Sequence, residues 1–201
     1  SKQKYSYEII IVDDGSDDGS VEFVEKFVKE NPKFKIIKNQ HLGKAGAVTA
    51  GMLSANGEYV LFTDMDQSTP LQEIEKLLPY YEQGFDVVFG SRGKARANFP
   101  LFRQIASFVF RIFRQTMLLK HVSDTQCGFK SFRTPIAKKL FPKLSIFKRS
   151  ITSGWTVSAF DVELLFLAEK SGYKLREVDV EWSDQDKSTS KDRKFIGESL
   201  D

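Results

Sequence analysis

The chain has 201 residues, 41% of them apolar and 28% charged, enough for one domain with a full hydrophobic core and ordinary for a globular protein. A net charge of +3 argues against the basic field of a nucleic-acid binder, and a lone cysteine, Cys127, excludes an internal disulfide and fits a reducing compartment. No stretch reaches the ~18 apolar residues that span a bilayer, no signal peptide is visible, and a chain opening on Ser1 and closing in a charged tail reads as part of something longer.

In chain order, Tyr7 to Val12 reads as a buried strand running into the turn residues Asp13-Asp14-Gly15-Ser16. A helix follows to about Glu30, with Val21, Val24, Phe27 and Val28 on one face, and Asn31-Pro32 ends it. Phe34 to Lys38 reads as a second strand. The stretch Asn39 to Ala47, punctuated by Gly43 and Gly46, opens a helix of small residues that stops at Asn56-Gly57.

Residues 58–70 organise the rest. Tyr59 to Thr63 form a strand-length apolar run that delivers Asp64 and Asp66. Thr69, Pro70 and Gln72 then read as N-cap, first helical residue and capping-box partner of a helix to about Gln83. On an extended chain residues i and i+2 point to one side, so the two aspartates converge on one ion. Oxygen ligands at a strand's carboxyl end suit Mg²⁺ or Mn²⁺ shared with a diphosphate. One such aspartate alone would read as a turn cap. Phe85 to Gly90 is the next strand, ending in Ser91-Arg92. The β-turn-α alternation predicts an α/β fold with a mostly parallel, Rossmann-type sheet and helices on both faces.

Beyond Arg92 the rhythm changes. Residues 100–119 are helical by pattern, with Phe102, Ile105, Ala106, Val109 and Phe113 on one face and Arg103, Ser107, Arg111 and Arg114 on another. A strand from Cys127 to Phe132 and a short helix from Pro135 follow. Residues 142–156 suit neither helix nor strand and read as a lid or surface loop. Phe160 to Ser171 is a helix, Lys174 to Trp182 an alternating strand, and 183–201 a polar, flexible tail.

Val-Asp-Asp-Gly-Ser (12–16), the Asn39 to Ala47 segment and Asp64-Met65-Asp66 together resemble the nucleotide-sugar half of inverting family-2 glycosyltransferases of GT-A fold. Gly90-Ser91-Arg92, Asp124-Thr125-Gln126-Cys127-Gly128-Phe129-Lys130 and Phe160-Asp161-Val162-Glu163 narrow the resemblance to the polyprenyl-phosphate branch, which includes dolichyl-phosphate glucosyl- and mannosyltransferases. The resemblance implies a catalytic domain over residues 1–182, incomplete at its N-terminus because the family's opening strand is missing. It implies a metal-dependent transfer, with inversion, from UDP-glucose or GDP-mannose to a polyprenyl phosphate at the cytoplasmic face of a membrane (bacterial inner membrane or endoplasmic reticulum).

Carried over by position, Asp14 with Asp13 holds the nucleoside, and Asp64 and Asp66 bind Mg²⁺ or Mn²⁺. Lys44, Gln67 and Lys191 stand on the donor side, although some relatives carry a Gln where this chain has Ser68. An acceptor phosphate is anionic at neutral pH, so it needs cations more than a base. Arg92 and Arg103 are the candidates, against a rival reading as salt-bridged arginines. Asp124 and Gln126 line the acceptor side, and Asp161 orients neighbouring groups. The Phe- and Arg-rich helix, with Ile146 to Arg149, supplies a membrane contact, against the rival reading of an ordinary covering helix. Cys127 reads as a packed strand residue, and His41, His121, Trp155 and Trp182 as structural.

Three rivals stand beside this reading. A phosphorelay receiver would also use an acidic pair and a later aspartate, but Asp124 to Lys130 would go unexplained. A transferase extending a polysaccharide or glycan would show a Gln-x-x-Arg-Trp motif, which the chain lacks. The third is a catalytically dead binding domain.

Overall fold

The computed structural model describes residues 5–93, 122–147 and 160–183. The expected helix 100–119, most of the 142–156 loop, the tail, Arg103, His121, Trp155 and Lys191 therefore lie outside the described residues. Strand β1 (Ile9–Asp13), helix α1 (Ser20–Glu30), β2 (Phe34–Lys38), α2 (Gly43–Ser54) and β3 (Tyr59–Thr63) follow in the expected order. After a 3₁₀ turn at Leu71–Glu73 come α3 (Ile74–Leu77), α4 (Pro79–Glu82) and β4 (Val87–Ser91). The second half contributes β5 (Phe129–Arg133), α5 (Thr134–Leu140), α6 (Phe160–Lys170) and β6 (Leu175–Asp179).

The strands form two sheets. β1 and β2 pair in parallel, and a four-stranded sheet runs β3-β5-β4-β6. β4 and β6 are parallel, whereas β5 runs antiparallel to both β3 and β4. Because β3 and β4 both oppose β5, they point the same way, and their carboxyl ends share a rim with the start of β5. Among the described residues β1 and β3 each carry a ladder on one side only. Helix α2 packs on both of them. Gly51 allows the close approach to β1, since a Cβ there would stand 3.1 Å from the Val12 side chain.

Side-chain alternation divides the four-stranded sheet between two cores. On one face Val87, Phe89, Phe132 and Phe62 meet Met52, Leu140, Phe141, Leu164 and Leu165 from the helices. On the other, Val88 and Phe129 meet Leu77, Tyr81, Cys127 and Val180. Cys127 is buried and burial raises its thiol pKa, in keeping with a packing role.

Two expectations are corrected. The capping box at Thr69 is absent: Thr69 is buried, Pro70 is extended (ψ 140°) and takes the cap position without a side-chain bond, and the segment opens as a 3₁₀ turn. Pro79 then restarts the helix, because it lacks the N–H that would continue the ladder. The start of the 142–156 stretch is ordered. Ile146 is buried rather than a membrane contact, and Glu163 accepts from both the N–H (2.8 Å) and the hydroxyl (2.9 Å) of Ser145.

Candidate active site

Asp64 leaves β3 at the shared rim. The chain does not stay extended: the Gln67 N–H donates to the Asp64 carbonyl at 3.3 Å, and Gln67 takes a left-handed φ of 54°. Asp66 accepts the Ser68 N–H at 2.9 Å, so a turn, rather than strand alternation, presents the carboxylates. Met65, Asp66 and Gln67 are exposed, whereas Ser68 and Thr69 are buried. The Ser68 carbonyl accepts the Ser183 N–H at 2.9 Å, which ties the turn to the chain beyond β6.

Lys44, in the first turn of α2, places its ammonium 2.7 Å from Asp64 Oδ1. The first turn of α2 is in turn held by Asp14. Its Oδ1 accepts Asn39 Nδ2 (2.8 Å) and the Leu42 N–H (3.0 Å), and its Oδ2 accepts the Gly43 N–H (2.6 Å). Asp14 thus caps a helix from a neighbouring strand, satisfying N–H groups that have no partner inside the helix. Asp13 closes its own turn by accepting the Gly15 and Ser16 N–H groups. Hydrogen bonds from Ser16 and Gly15 hold its carboxyl below the ordinary range.

Arg92 follows β4 on the same rim. Its Nε and Nη2 donate to the two oxygens of Asp124 at 2.7 and 2.9 Å, and its backbone N–H donates at 3.1 Å. The guanidinium lies 5.6 Å from the Trp182 ring centre. Burial opposes its charge, but the hydrogen bond and charge of Asp124 outweigh that and raise its pKa. The half-buried Arg92 and the buried Asp124 are thus brought together as an ion pair, a salt bridge as in the rival reading of Arg92 but not one at the open surface. Asp124 also accepts the Gln126 N–H, and Glu177 accepts the N–H groups of Ser123 and Asp124, both at 2.7 Å. The Gln126 side chain itself is exposed.

Three contributors went unread in the sequence. Lys130 is fully buried, donates to Asp161 Oδ1 at 2.7 Å and to the Cys127 carbonyl, and lies 5.4 Å from the Phe62 ring centre. Its signal was a lysine at an inward position of an apolar strand, with an acidic helix start downstream. Gly128 lies directly against the Asp64 carboxylate. Glu177, on β6, holds the turn that carries Asp124.

Among the described residues no group of three or more His, Cys, Asp or Glu gathers around one metal position. A cation held by Asp64 and Asp66 would therefore take its remaining ligands from elsewhere, as Mg²⁺ commonly does from water and substrate phosphates. The donor set fits such an ion, and the Lys44 ammonium shows that the Asp64 carboxylate is oriented to receive a cation.

The chain as a whole is similar to proteins of known class. Residues 1–141 match the model of the family described as Glycosyl transferase family 2. A dolichyl-phosphate beta-glucosyltransferase of Dictyostelium discoideum is 37% identical over 92% of the chain and 58% of its own length. The Saccharomyces cerevisiae enzyme of the same name is 34% identical over 93% of the chain and 60% of its own length. The chain thus spans less than two thirds of these relatives. Among solved structures, a glucosyl-3-phosphoglycerate synthase from Mycobacterium tuberculosis with Mn²⁺, UDP-glucose and phosphoglyceric acid superposes with a TM-score of 0.55, at 17% identity over 85% of this chain and 57% of that one. A mannosyltransferase from Pyrobaculum calidifontis with GDP-mannose and Mn²⁺ gives 0.56, at 17% identity over 89% and 49%. These two share the GT-A-like fold, and the family match leaves no place for the phosphorelay receiver. The chain belongs to glycosyl transferase family 2.

Proposed function

We propose that the chain is the catalytic part of an inverting transferase that moves glucose from UDP-glucose to a polyprenyl phosphate of the dolichyl type, at the cytoplasmic face of a membrane. The observation that carries this reading is the Asp64–Asp66 turn, with the Lys44 ammonium 2.7 Å from Asp64. The names of the relatives support the sugar and the acceptor. The solved neighbours, bound to Mn²⁺ with UDP-glucose or GDP-mannose, support a divalent cation and a nucleotide-sugar donor.

Asp64 and Asp66 would hold Mg²⁺ or Mn²⁺, which when bound offsets the negative charge that grows on a departing nucleoside diphosphate. Lys44 stands where a second positive charge can meet the same diphosphate. Asp14 contributes by fixing the first turn of α2, and with it the reach of Lys44. The acceptor's second phosphate pKa is about 6, so the nucleophilic oxygen is already anionic and no general base is required of the chain. The Arg92–Asp124 pair, braced by Glu177 and Trp182, forms a rigid wall on the acceptor side rather than a mobile phosphate clamp. Arg103 and Lys191 complete the set of cations assigned to phosphates.

The sheets are compatible with the domain reading of residues 1–182. A helix about 10 Å across covers roughly two strand spacings of ~4.8 Å. α2 packs on both β1 and β3, which share no ladder among the described residues, and one further strand between them would join the two sheets. An N-terminal extension supplying that strand would complete the domain of residues 1–182.

Calorimetric titration of UDP, GDP and UDP-glucose, with and without Mn²⁺, tests the reading on the present chain and on one extended at its N-terminus. Mn²⁺-dependent binding that favours UDP and is lost in Asp66→Ala is expected. Preference for GDP would move the donor to GDP-mannose. Absence of Mn²⁺-dependent binding in the extended chain would sink the metal site.

A further inference from the structure

Gly128 offers no side-chain group, yet it borders the carboxylate on which the site depends. A Cβ built at this position would stand 2.0 Å from Asp64 Oδ2, 2.5 Å from its Cγ and 2.9 Å from its Oδ1. Asp64 in this position and a side chain at 128 are mutually exclusive. The backbone does not impose the glycine, because Gly128 is not among the positive-φ residues. What the position requires is space.

The close approach is a consequence of register. Thr63 pairs with Phe129 as the last antiparallel pair of β3 and β5, so the next residue of each chain, Asp64 and Gly128, continue past one another. β5 has little freedom to retreat. The carbonyl before Gly128 accepts a bond from the buried Lys130, which Asp161 holds in turn. On the other side, the Cys127 sulfur would lie 3.1 Å from a Cβ on Gly90, which places it close against β4. Were a methyl group added at 128, the partner outside the sheet would be the one to move, and that is the half-buried Asp64 side chain.

We propose that Gly128 is a positioning residue, whose missing side chain is the seat that orients the Asp64 carboxylate toward Lys44 and the cation position. This rests on the reading of Asp64 as a ligand of the cation on the donor diphosphate. The seat is specific to Asp64: with the Asp64 carboxylate removed, the space at 128 has no further purpose, and alanine there becomes tolerable.

The test is a double-mutant cycle on Gly128→Ala, Asp64→Ala and the double variant, with two readouts. In thermal unfolding, Gly128→Ala is expected to lower Tm in the parent and to have little effect once Asp64 is alanine. In calorimetry, Gly128→Ala is expected to weaken Mn²⁺-dependent UDP binding at least tenfold while leaving metal-free UDP binding unchanged. Equal destabilisation in both backgrounds would overturn the proposal, because the clash would then lie elsewhere. So would Mn²⁺-dependent UDP affinity of parental strength in Gly128→Ala. Coupled stabilities in a chain that shows no Mn²⁺-dependent binding would support the seat while removing the metal reading, so the two failures are separable.

Discussion

Asp14 shows that a residue's contacts can come from segments its own sequence neighbourhood does not name. Its sequence neighbourhood suggests a nucleoside ligand, and in the structure its oxygens accept from Asn39, Leu42 and Gly43. No periodicity encodes a cap supplied from a different strand. Asp14→Ala should cost about 1 kcal/mol or more in urea unfolding, the usual loss for a helix cap. It should also weaken donor binding through Lys44, so a variant of unchanged stability would remove the cap from the account. Cys127 is legible for the opposite reason, since a small residue beside an apolar run with no readable base is normally packed. Burial raises its thiol pKa, so at neutral pH it carries no thiolate. A thiol reagent should therefore label it only as fast as the protein unfolds, and rapid labelling of the native chain would contradict the packing described.

At the scale of elements, the strands β1 to β4 and helices α1 and α2 follow from apolar runs and turn residues, and their bounds shift by a residue or two. What escapes is pairing between elements far apart in sequence. The antiparallel entry of β5 between β3 and β4 leaves no mark in its own residues. Nor does the burial of Lys130, whose partner Asp161 sits on α6. That pair supports a sharp expectation. Lys130→Met alone leaves Asp161 without its ammonium and should cost about 3–5 kcal/mol, whereas Lys130→Met with Asp161→Leu should recover much of it. Denaturant unfolding of both variants decides the matter, and equal losses would mean that the pair itself is not the source. Glu8 links three elements: it accepts from Lys35 on β2 and from the Asn56 N–H beyond α2. These bonds, the one from Lys35 foremost, lower its pKa below the ordinary 4.5. A lowered carboxyl pKa stabilises the fold above the unfolded value and loses that contribution as pH falls through the folded one. Glu8→Gln should therefore flatten the fall in stability below about pH 4.5, and an unchanged acid profile would exclude Glu8 as a contributor.

For the whole molecule, the α/β class was legible because it depends on alternation, which is local and repeated. The division into two sheets was not, because it depends on which edges find partners. At the Asp64 site the carboxylates and Lys44 lie in stretches that a sequence pattern marks, whereas Gly128, just before β5, meets Asp64 only through the pairing of β3 with β5. The placement of β5 also orders events during synthesis. Among the described residues β3 and β4 share no ladder; β4 lies between β5 and the still later β6, and β3 pairs with β5. While a ribosome adds the residues between Ser91 and Phe129, on the order of several seconds at ~5–20 residues per second, both strands wait without that partner. The larger sheet can close only from its middle outward, once the segment that also carries Gly128 has emerged. A nascent chain halted before Phe129 should consequently remain open to protease across β3 and β4, and one released beyond Arg133 should gain protection in both strands together.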